Sequence, residues 1–265
     1  MALFRAEAVV LRTKDLGEAD RIVTLLTATE GKLRAVARGA RRQRNRLASG
    51  TQLFTRADFL LSRGKGLHTV SQCQVLEAFR PLREDLDRLA RGSYCLELLD
   101  LATEEQDPAP ILYPLLLGTL HVLADGPADE WDIALRFFEL HLLQAAGFGP
   151  GWDVCGHCGG DLPGDSFAFD PAAGGLLCGS CRVASGGLRI SLGAVQTARH
   201  LLRADLRRAR STRMGAAVAM ELERSLRTYI TYILERRLRS LDFLDSLRGA
   251  ENDREVTYNG ISGED

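Results

Sequence analysis

Two closely spaced cysteine pairs constrain the fold of this chain more than any other feature of its sequence. Cys155-Gly-His-Cys158 and Cys178-Gly-Ser-Cys181 are C-x-x-C pairs separated by nineteen residues. This is the spacing of a four-thiolate zinc site, in which each pair forms a tight turn that donates two sulfurs. Four thiolates complete the tetrahedral coordination of zinc and leave no position for a reacting water. The sequence therefore predicts one structural Zn²⁺ site, with Cys155, Cys158, Cys178 and Cys181 as ligands.

The surroundings of these pairs favour a metal over redox chemistry. Cys-Gly-His-Cys alone is also found in disulfide isomerases, but a redox-active pair needs a preceding strand and a helix that begins at its first cysteine. Here glycine and proline surround the first pair and a second pair follows. His157 is an alternative ligand to one sulfur, although a solvent-facing position in the turn suits it better. Cys73 and Cys95 are predicted to pack as small apolar residues.

Charged residues are divided unevenly along the chain. Residues 1–80 contain 15 Lys and Arg against 7 Asp and Glu, residues 81–188 contain 5 against 17, and residues 189–248 contain 13 against 6. The net charge of −1 over 265 residues therefore conceals two cationic regions separated by an anionic one. Asymmetry of this kind indicates nucleic acid or another acidic partner.

The apolar segments do not indicate a membrane protein. The longest, residues 111–124, is interrupted by Pro114, Gly118 and His121, and its length suits a buried helix. The N-terminus lacks the basic region and apolar run of a secretory signal. We therefore expect a cytoplasmic protein with no membrane partner, whose cysteines stay reduced.

The first eighty residues have the pattern of a small β-barrel. Aliphatic and β-branched runs occupy residues 6–11, 21–26, 31–38, 53–61 and 67–78, with glycine-bearing turns between several of them. In the third run, alternation places Leu33, Ala35 and Ala37 against a core. Five short strands in a segment of this length predict a five-stranded barrel over residues 1–80.

After Pro81 the apolar period becomes helical. Helices are predicted over residues 82–101, 111–124 and 131–146, from a cap at Ser191 to about Arg210, and over residues 214–247 as one helix or two. The fold class is α+β. The predicted divisions are a barrel (1–80), a helical domain in two parts (81–150 and 188–248), an inserted four-cysteine zinc module (151–187) and a disordered polar tail (249–265).

Basic residues of the barrel are predicted to form one nucleic-acid-binding surface. On a small barrel, the second and third strands and the loops joining strands one to two and four to five grip single strands. Lys32, Arg34 and Arg38 share a strand face that leads into the charged loop 41–46. The predicted contacts are Lys14, Lys32, Arg34, Arg38, Arg41, Arg42, Arg44, Arg46, Arg63 and Lys65. The alternative, a solvated arginine loop without a ligand, is disfavoured because three separate stretches supply the charge.

Several stretches together resemble the RecO family of bacterial recombination mediators. They are Gly17-Glu-Ala-Asp-Arg-Ile-Val-Thr-Leu-Leu26, Gly31-Lys-Leu-Arg-Ala-Val-Ala-Arg-Gly-Ala-Arg41, Gly66-Leu-His-Thr-Val, and Leu135-Arg-Phe-Phe-Glu-Leu-His-Leu-Leu143 followed by Gly147-Phe. The cysteine pairs match the zinc-binding insert of many members. The likeness covers residues 4 to about 245 in the family's order, so it is more specific than any single motif.

The resemblance implies an oligonucleotide-binding (OB) barrel, a helical domain and a structural zinc module. It also implies a non-enzymatic protein that binds single- and double-stranded DNA and anneals complementary strands. Such a protein acts with RecR to load RecA onto DNA coated by single-stranded DNA-binding protein (SSB), with RecF as a further candidate partner. Arg136 is a candidate contact for the acidic tail of SSB, and the alternative is an ion pair with Glu139 one turn on.

Two other functions stay open from the sequence alone. A metal-dependent nuclease is disfavoured, because the chain has no H-E-x-x-H motif, no phosphate-binding loop and no carboxylate cluster beside the basic patch. An RNA-binding or translation-associated barrel protein with a zinc ribbon is the other alternative.

Overall fold

A closed five-stranded barrel forms the N-terminal part of the computed structural model, which describes residues 2–42, 45–108 and 110–248. Its strands are β1 (Leu3–Leu16), β2 (Asp20–Thr27), β3 (Lys32–Ala37), β4 (Arg56–Ser62) and β5 (His68–Glu77). Their order is β1-β2-β3-β5-β4, and β4 pairs back onto β1. The β3–β5 pair is parallel and the short helix α1 (Leu47–Gly50) links β3 to β4. The predicted OB-type barrel is confirmed.

A β-bulge divides β1 into two functional halves. The register shifts between Val10 and Arg12, and β1 pairs with β4 before the bulge and with β2 around and beyond it. Val10 packs inside the barrel, whereas Val9 and Leu11 join the core of the helical region. Bulges bend a strand and increase its twist, which allows β1 to belong to both sides of the barrel. The strand consequently runs to Leu16, five residues beyond the predicted end.

Helices form most of the remaining structure. They are α2 (Pro81–Glu84), α3 (Leu86–Ala102), α4 (Leu112–Asp125), α5 (Trp131–Ala145), α7 (Leu192–Arg203), α8 (Leu206–Arg210), α9 (Ala216–Leu234) and α10, described over residues 239–248. Among the helices of the described ranges, none combines the length and the apolar character needed to cross a bilayer.

Local caps explain where several of these helices begin and end. The Ser191 hydroxyl accepts a hydrogen bond from the backbone N–H of Ala194 (3.3 Å), as predicted for a cap. Asp205 caps α8 in the same way, so the helix predicted from Ser191 to Arg210 is divided in two. The left-handed backbone of Glu235 (φ 50°) separates α9 from α10. The region after Met214 is therefore two helices with a break. The predicted tail, residues 249–265, lies outside the described residues.

The cysteine-rich segment contains strands that its sequence did not indicate. Strands β6 (Ser166–Asp170), β7 (Gly175–Leu177) and β8 (Leu188–Ser191) form an antiparallel sheet in the order β7-β6-β8, and α6 (Gly179–Ser185) follows β7. Strands this short leave no readable two-residue period. The ring of Phe169 lies 5.3 Å from that of Trp152 and 5.7 Å from that of Tyr229 on α9, so the sheet packs on the helical region.

Lys32 joins the barrel to the helical region. Its Nζ donates to the backbone oxygens of Asp100 (2.5 Å) and Thr103 (2.6 Å) and lies 3.1 Å from the Asp100 carboxylate. A cation at this position donates hydrogen bonds to carbonyls at the end of α3 that have no partner within the helix, and the helix dipole favours its positive charge. The backbone continues the connection, because the N–H of Gln106 donates to the Lys32 carbonyl (2.9 Å). At Gly31 (φ +70°) a Cβ atom would lie 2.3 Å from the Asp107 carbonyl oxygen, so this close approach requires glycine.

Replacing Lys32 with methionine is expected to lower the free energy of unfolding by about 3 kcal/mol, because two backbone carbonyls lose their donor and the Asp100 carboxylate keeps only the more distant Arg12. Urea unfolding followed by circular dichroism measures the effect. The matched control is Lys65→Met, on an exposed loop, which should change stability by less than about 0.5 kcal/mol. Equal stabilities of the two variants would contradict a joining role for Lys32.

Candidate nucleic-acid interface and metal centre

A groove of about 300 Å³ crosses the outer face of β1, β2 and β3. Cross-strand pairing places Arg12 beside Thr24 and Thr24 beside Arg34, and it places Lys14 beside Ile22. Paired residues of neighbouring strands share a face at a strand spacing of about 4.8 Å, so the Arg12 and Arg34 backbones lie roughly 10 Å apart. We call this the barrel groove; it is lined by Arg12, Thr13, Lys14, Ile22, Thr24 and Arg34.

The cations of the barrel groove are only weakly neutralised. The Arg12 guanidinium lies 3.4 Å from the Asp100 carboxylate and that of Arg34 lies 3.6 Å from Glu105. Both separations exceed those of ordinary charge-assisted hydrogen bonds, and the Arg34–Glu105 pair, which is exposed on both sides, contributes at most about 1 kcal/mol. Lys14 is exposed, and no carboxylate of the described residues lies within 4 Å of its ammonium. These groups can exchange their protein partners for an anionic ligand.

The segment after β3 places more cations at one end of this groove. The guanidinium of Arg41 donates to the Gly17 carbonyl (2.8 Å) and lies 3.3 Å from Asp15. Residues 38–42 are thereby folded against the β1–β2 turn, at the same end of the strands as Lys14. Arg38 and Arg42 are exposed there. The structure thus brings Lys14, Arg34, Arg38, Arg41 and Arg42 to one region of the barrel.

Other predicted contacts lie elsewhere. The β4–β5 loop, with Arg63 and Lys65, is at the opposite end of the strands, on the side of the β2–β3 turn. Arg63 lies 3.6 Å from Glu30 and 4.5 Å from the Phe4 ring centroid. Arg46 lies on the β5 side, where it lines a separate cavity of about 590 Å³ with Cys73. Arg44 is outside the described residues.

Lys32 is not on the barrel groove, contrary to the expectation from strand alternation. It does project outward from β3, but α3 covers the barrel at this point and its side chain is only 8% exposed. The alternation of β3 shows that Lys32 points outward, but it cannot show that a helix from a distant part of the chain packs over that position. Lys32 therefore has a structural contact in place of the predicted nucleic-acid contact.

Arg12 is a groove residue that the sequence prediction missed. Arg12-Thr13-Lys14 resumes the alternation of β1 after the bulge, with both cations on the outer face. The predicted strand ended at Leu11, because the bulge interrupts the alternation at that point. A predicted first strand that allowed for one irregular residue at Leu11 would have included Arg12.

Arg136 is buried in the helical core and not on a partner-binding surface. It is 3% exposed, and its guanidinium donates to the Glu139 carboxylate at 3.0 Å. The Tyr94 hydroxyl donates to the same carboxylate oxygen at 2.5 Å. Burial raises the pKa of Glu139, and the nearby Arg136 and the Tyr94 hydrogen bond oppose this shift. The structure thus contains the ion pair that was the alternative for Arg136, and SSB contact is not supported.

Four cysteines form a cluster suited to a metal ion. The Sγ atoms of Cys155, Cys158, Cys178 and Cys181 all lie within 4.8 Å of one another. The Cys158–Cys178 distance of 3.8 Å equals the sulfur separation of about 3.8 Å expected around a tetrahedral ion with metal–sulfur bonds of about 2.3 Å. Each pair therefore supplies two convergent donors, and the donor set fits a closed tetrahedral site.

Tight backbone turns position these sulfurs. The N–H of Cys155 donates to the Gly160 carbonyl (2.9 Å) and that of Gly159 donates to the Cys155 carbonyl (2.8 Å). His157 is exposed and is not part of the four-residue cluster. No helix begins at Cys155, so the first pair lacks the environment of a redox-active cysteine.

Comparison with known proteins identifies the family. The model "Recombination protein O N terminal" matches residues 1–79, and "Recombination protein O C terminal" matches residues 83–242. The chain belongs to the RecO family. The DNA repair protein RecO of Symbiobacterium thermophilum is 44% identical over 253 residues, which cover 94% of this chain and 100% of that protein. The RecO proteins of Roseiflexus sp. and Pelotomaculum thermopropionicum are 42% and 39% identical, covering 93% and 92% of this chain and 86% and 94% of those proteins.

If the cluster holds a metal, replacing Cys155 with serine should abolish metal binding and lower the melting temperature by about 10 °C, the equivalent of about 3 kcal/mol in a chain of this size. Elemental analysis of the purified protein and a thermal melt measure both quantities. Cys73→Ser is the control, since Cys73 lies on the barrel, and it should keep the metal. Full metal content in the Cys155 variant would contradict the assignment of this ligand.

Replacing Arg136 with methionine is expected to cost about 3–5 kcal/mol of stability, because the Glu139 carboxylate stays buried without its cation. Arg210→Met is the matched control, since it breaks an exposed ion pair with Glu130 and should cost about 1 kcal/mol or less. Urea unfolding of both variants provides the comparison. Similar losses would show that the buried pair has no special structural role.

Proposed function

We propose that the protein is a non-enzymatic DNA repair mediator that binds single- and double-stranded DNA through the barrel groove. It anneals complementary strands and, with RecR, helps load RecA onto single-stranded DNA coated by SSB. The observation that carries the proposal is the alignment of Arg12, Lys14 and Arg34 on one face of a five-stranded barrel. Membership of the RecO family supports the repair role.

The chemistry of the groove favours contact with the sugar–phosphate backbone. Between residues 5 and 78 the aromatic rings of Phe, Tyr and Trp are limited to Phe54 and Phe59. Both are fully buried, so neither offers a surface on which a base could stack. Guanidinium and ammonium groups instead neutralise phosphates without regard to base identity. Binding is therefore expected to tolerate any sequence and to weaken as salt increases.

Neutralisation also provides a physical route to annealing. Two polyanionic strands repel each other, and cations that offset the phosphate charge allow them to approach to pairing distance. The groove supplies one cationic surface, and the segment 189–248, with 13 basic against 6 acidic side chains, is the proposed source of a second. No covalent step is needed, so the proposal assigns no catalytic residue.

For the cysteine cluster we propose a single structural Zn²⁺. Four thiolates saturate its tetrahedral coordination, which leaves no position for an activated water. The ion would hold together a segment whose strands are only three to five residues long. RecR and SSB, with RecF and RecA as further candidates, are the proposed partners, and the cytoplasmic nucleoid is the proposed location.

Reversing the charge of Lys14 and Arg34 to glutamate tests the groove. Affinity should fall by a similar factor for single strands of unrelated sequence. The slope of log affinity against log salt should flatten by about 0.7 for each phosphate that the variant no longer neutralises. Fluorescence anisotropy at several salt concentrations measures both quantities. Arg5→Glu with Arg80→Glu is the charge-matched control, since both residues are exposed and neither lines the groove. Unchanged affinity in the groove variant would remove the barrel from the mechanism.

The same assays separate the alternative functions. Strong preference for RNA over single-stranded DNA in direct competition would favour an RNA-binding protein, and DNA cleavage that co-purifies with the chain would overturn the non-enzymatic proposal. The mediator role itself is tested by annealing of SSB-coated complementary strands with and without RecR. Failure to anneal under both conditions would contradict it.

A further inference from the structure

A larger cleft opens where the barrel meets the helical region. Its volume is about 620 Å³, and its walls come from β1, α3 and the segment that links α9 to α10. Leu53 and Leu101 contribute apolar surface, and Arg12, Arg236, Arg237 and Arg239 contribute positive charge. We call this the junction cleft. Apart from Arg12, its arginines lie outside the barrel groove.

The carboxylates of the junction cleft already have partners. Glu97 accepts hydrogen bonds from the backbone N–H groups of Arg239 (3.2 Å) and Ser240 (2.8 Å) and from the Ser240 hydroxyl (2.5 Å). Asp100 is held by Lys32 at 3.1 Å and by Arg12 at 3.4 Å. The negative charge of the cleft is thus used in holding the fold together.

The arginines are less engaged. Arg237 lies 2.9 Å from Asp242. Arg236 and Arg239 are exposed, and in the part of the chain that the structure describes no carboxylate lies within 4 Å of either guanidinium. The cleft therefore presents at least two cations that an anionic ligand could bind.

The fold holds these arginines in place. Leu238 is 2% exposed and anchors the segment in the core, while Glu97 fixes the backbone at the start of α10. Glu235 takes a left-handed conformation that a residue with a side chain seldom adopts. Such strained positions persist where the surrounding structure determines them, and they concentrate at functional sites. The segment between α9 and α10 thus places Arg236, Arg237 and Arg239 on either side of the buried Leu238.

Arg12 connects the two cavities, since it lines both the barrel groove and the junction cleft. We propose that the junction cleft binds the sugar–phosphate backbone of the same single strand where it leaves the barrel groove. This inference rests on the proposed function of the groove. Continuity through Arg12 favours one extended polynucleotide over a separate acidic peptide, and guanidinium forks match phosphate oxygens in pairs.

Oligonucleotide length provides the test. Single barrels of this kind contact about 4–16 nucleotides, so an eight-nucleotide oligothymidine can be held by the groove alone, whereas a thirty-nucleotide one can also enter the cleft. Arg236→Glu with Arg239→Glu should lower affinity for the longer strand about tenfold and flatten its salt slope by about 0.7 per phosphate released from the cleft. Affinity for the shorter strand should stay unchanged.

Two further variants make the result specific. Arg5→Glu with Arg80→Glu reverses the same amount of charge on exposed residues that line neither cavity, and it should leave both affinities close to those of the native protein. Arg236→Gln with Arg239→Gln should give a smaller loss for the longer strand only, with an unchanged melting temperature. A longer-strand loss accompanied by a lowered melting temperature in this neutral variant would count against the cleft.

The outcomes separate this inference from the proposed function. If the Lys14 and Arg34 reversals weaken both lengths while the cleft reversals weaken neither, the groove binds DNA and the cleft inference is overturned. Equal loss for both lengths in the cleft variant would also overturn it. A third outcome would overturn it as well: the cleft variant no longer binds a labelled hexa-aspartate peptide but binds the thirty-nucleotide strand as before. The cleft would then be a peptide site. If the groove reversals have no effect, the proposed function fails.

Discussion

The bulge between Val10 and Arg12 is the constraint on which the arrangement of this protein depends. It bends β1 so that one strand pairs with β4 along its first half and with β2 along its second, which closes the barrel. Before the bulge, Val9 faces the helical core; beyond it, the outward positions carry cations. A single irregular residue thus determines both how the barrel meets the helices and where the groove lies.

Burial separates the cations that maintain the fold from those free to bind a ligand. Lys32 and Arg136 are nearly inaccessible, and each pairs with a carboxylate that is largely or fully shielded from solvent, Asp100 and Glu139 respectively. Arg12, Lys14 and Arg34 are exposed or half-exposed, and their protein contacts are long or absent within the described ranges. Because a buried ion must keep its partner whereas an exposed one can exchange it for phosphate, only the second group suits a DNA surface.

The junction between the barrel and the helices is therefore both a structural and a chemical boundary. Lys32 and Asp100 hold the two parts together. Arg12 also contacts Asp100, and it lines both the barrel groove and the junction cleft. The cysteine module lies apart from this junction and packs through Phe169 against Tyr229 on α9. The candidate metal site and the proposed DNA surface consequently belong to different parts of the molecule.

The sequence by itself determined the features that depend on local spacing. Alternation around Leu33 indicated the barrel, the two C-x-x-C pairs indicated the metal site, and Ser191 marked a helix start, since each is encoded within a few consecutive residues. Tertiary structure alone decided which cations are accessible. Lys32 and Arg34 are equivalent in the strand pattern, but α3 covers one and leaves the other at the groove. That difference arises from packing between distant segments, and so do the location of Arg12 and the cleft it shares with Arg236 and Arg239.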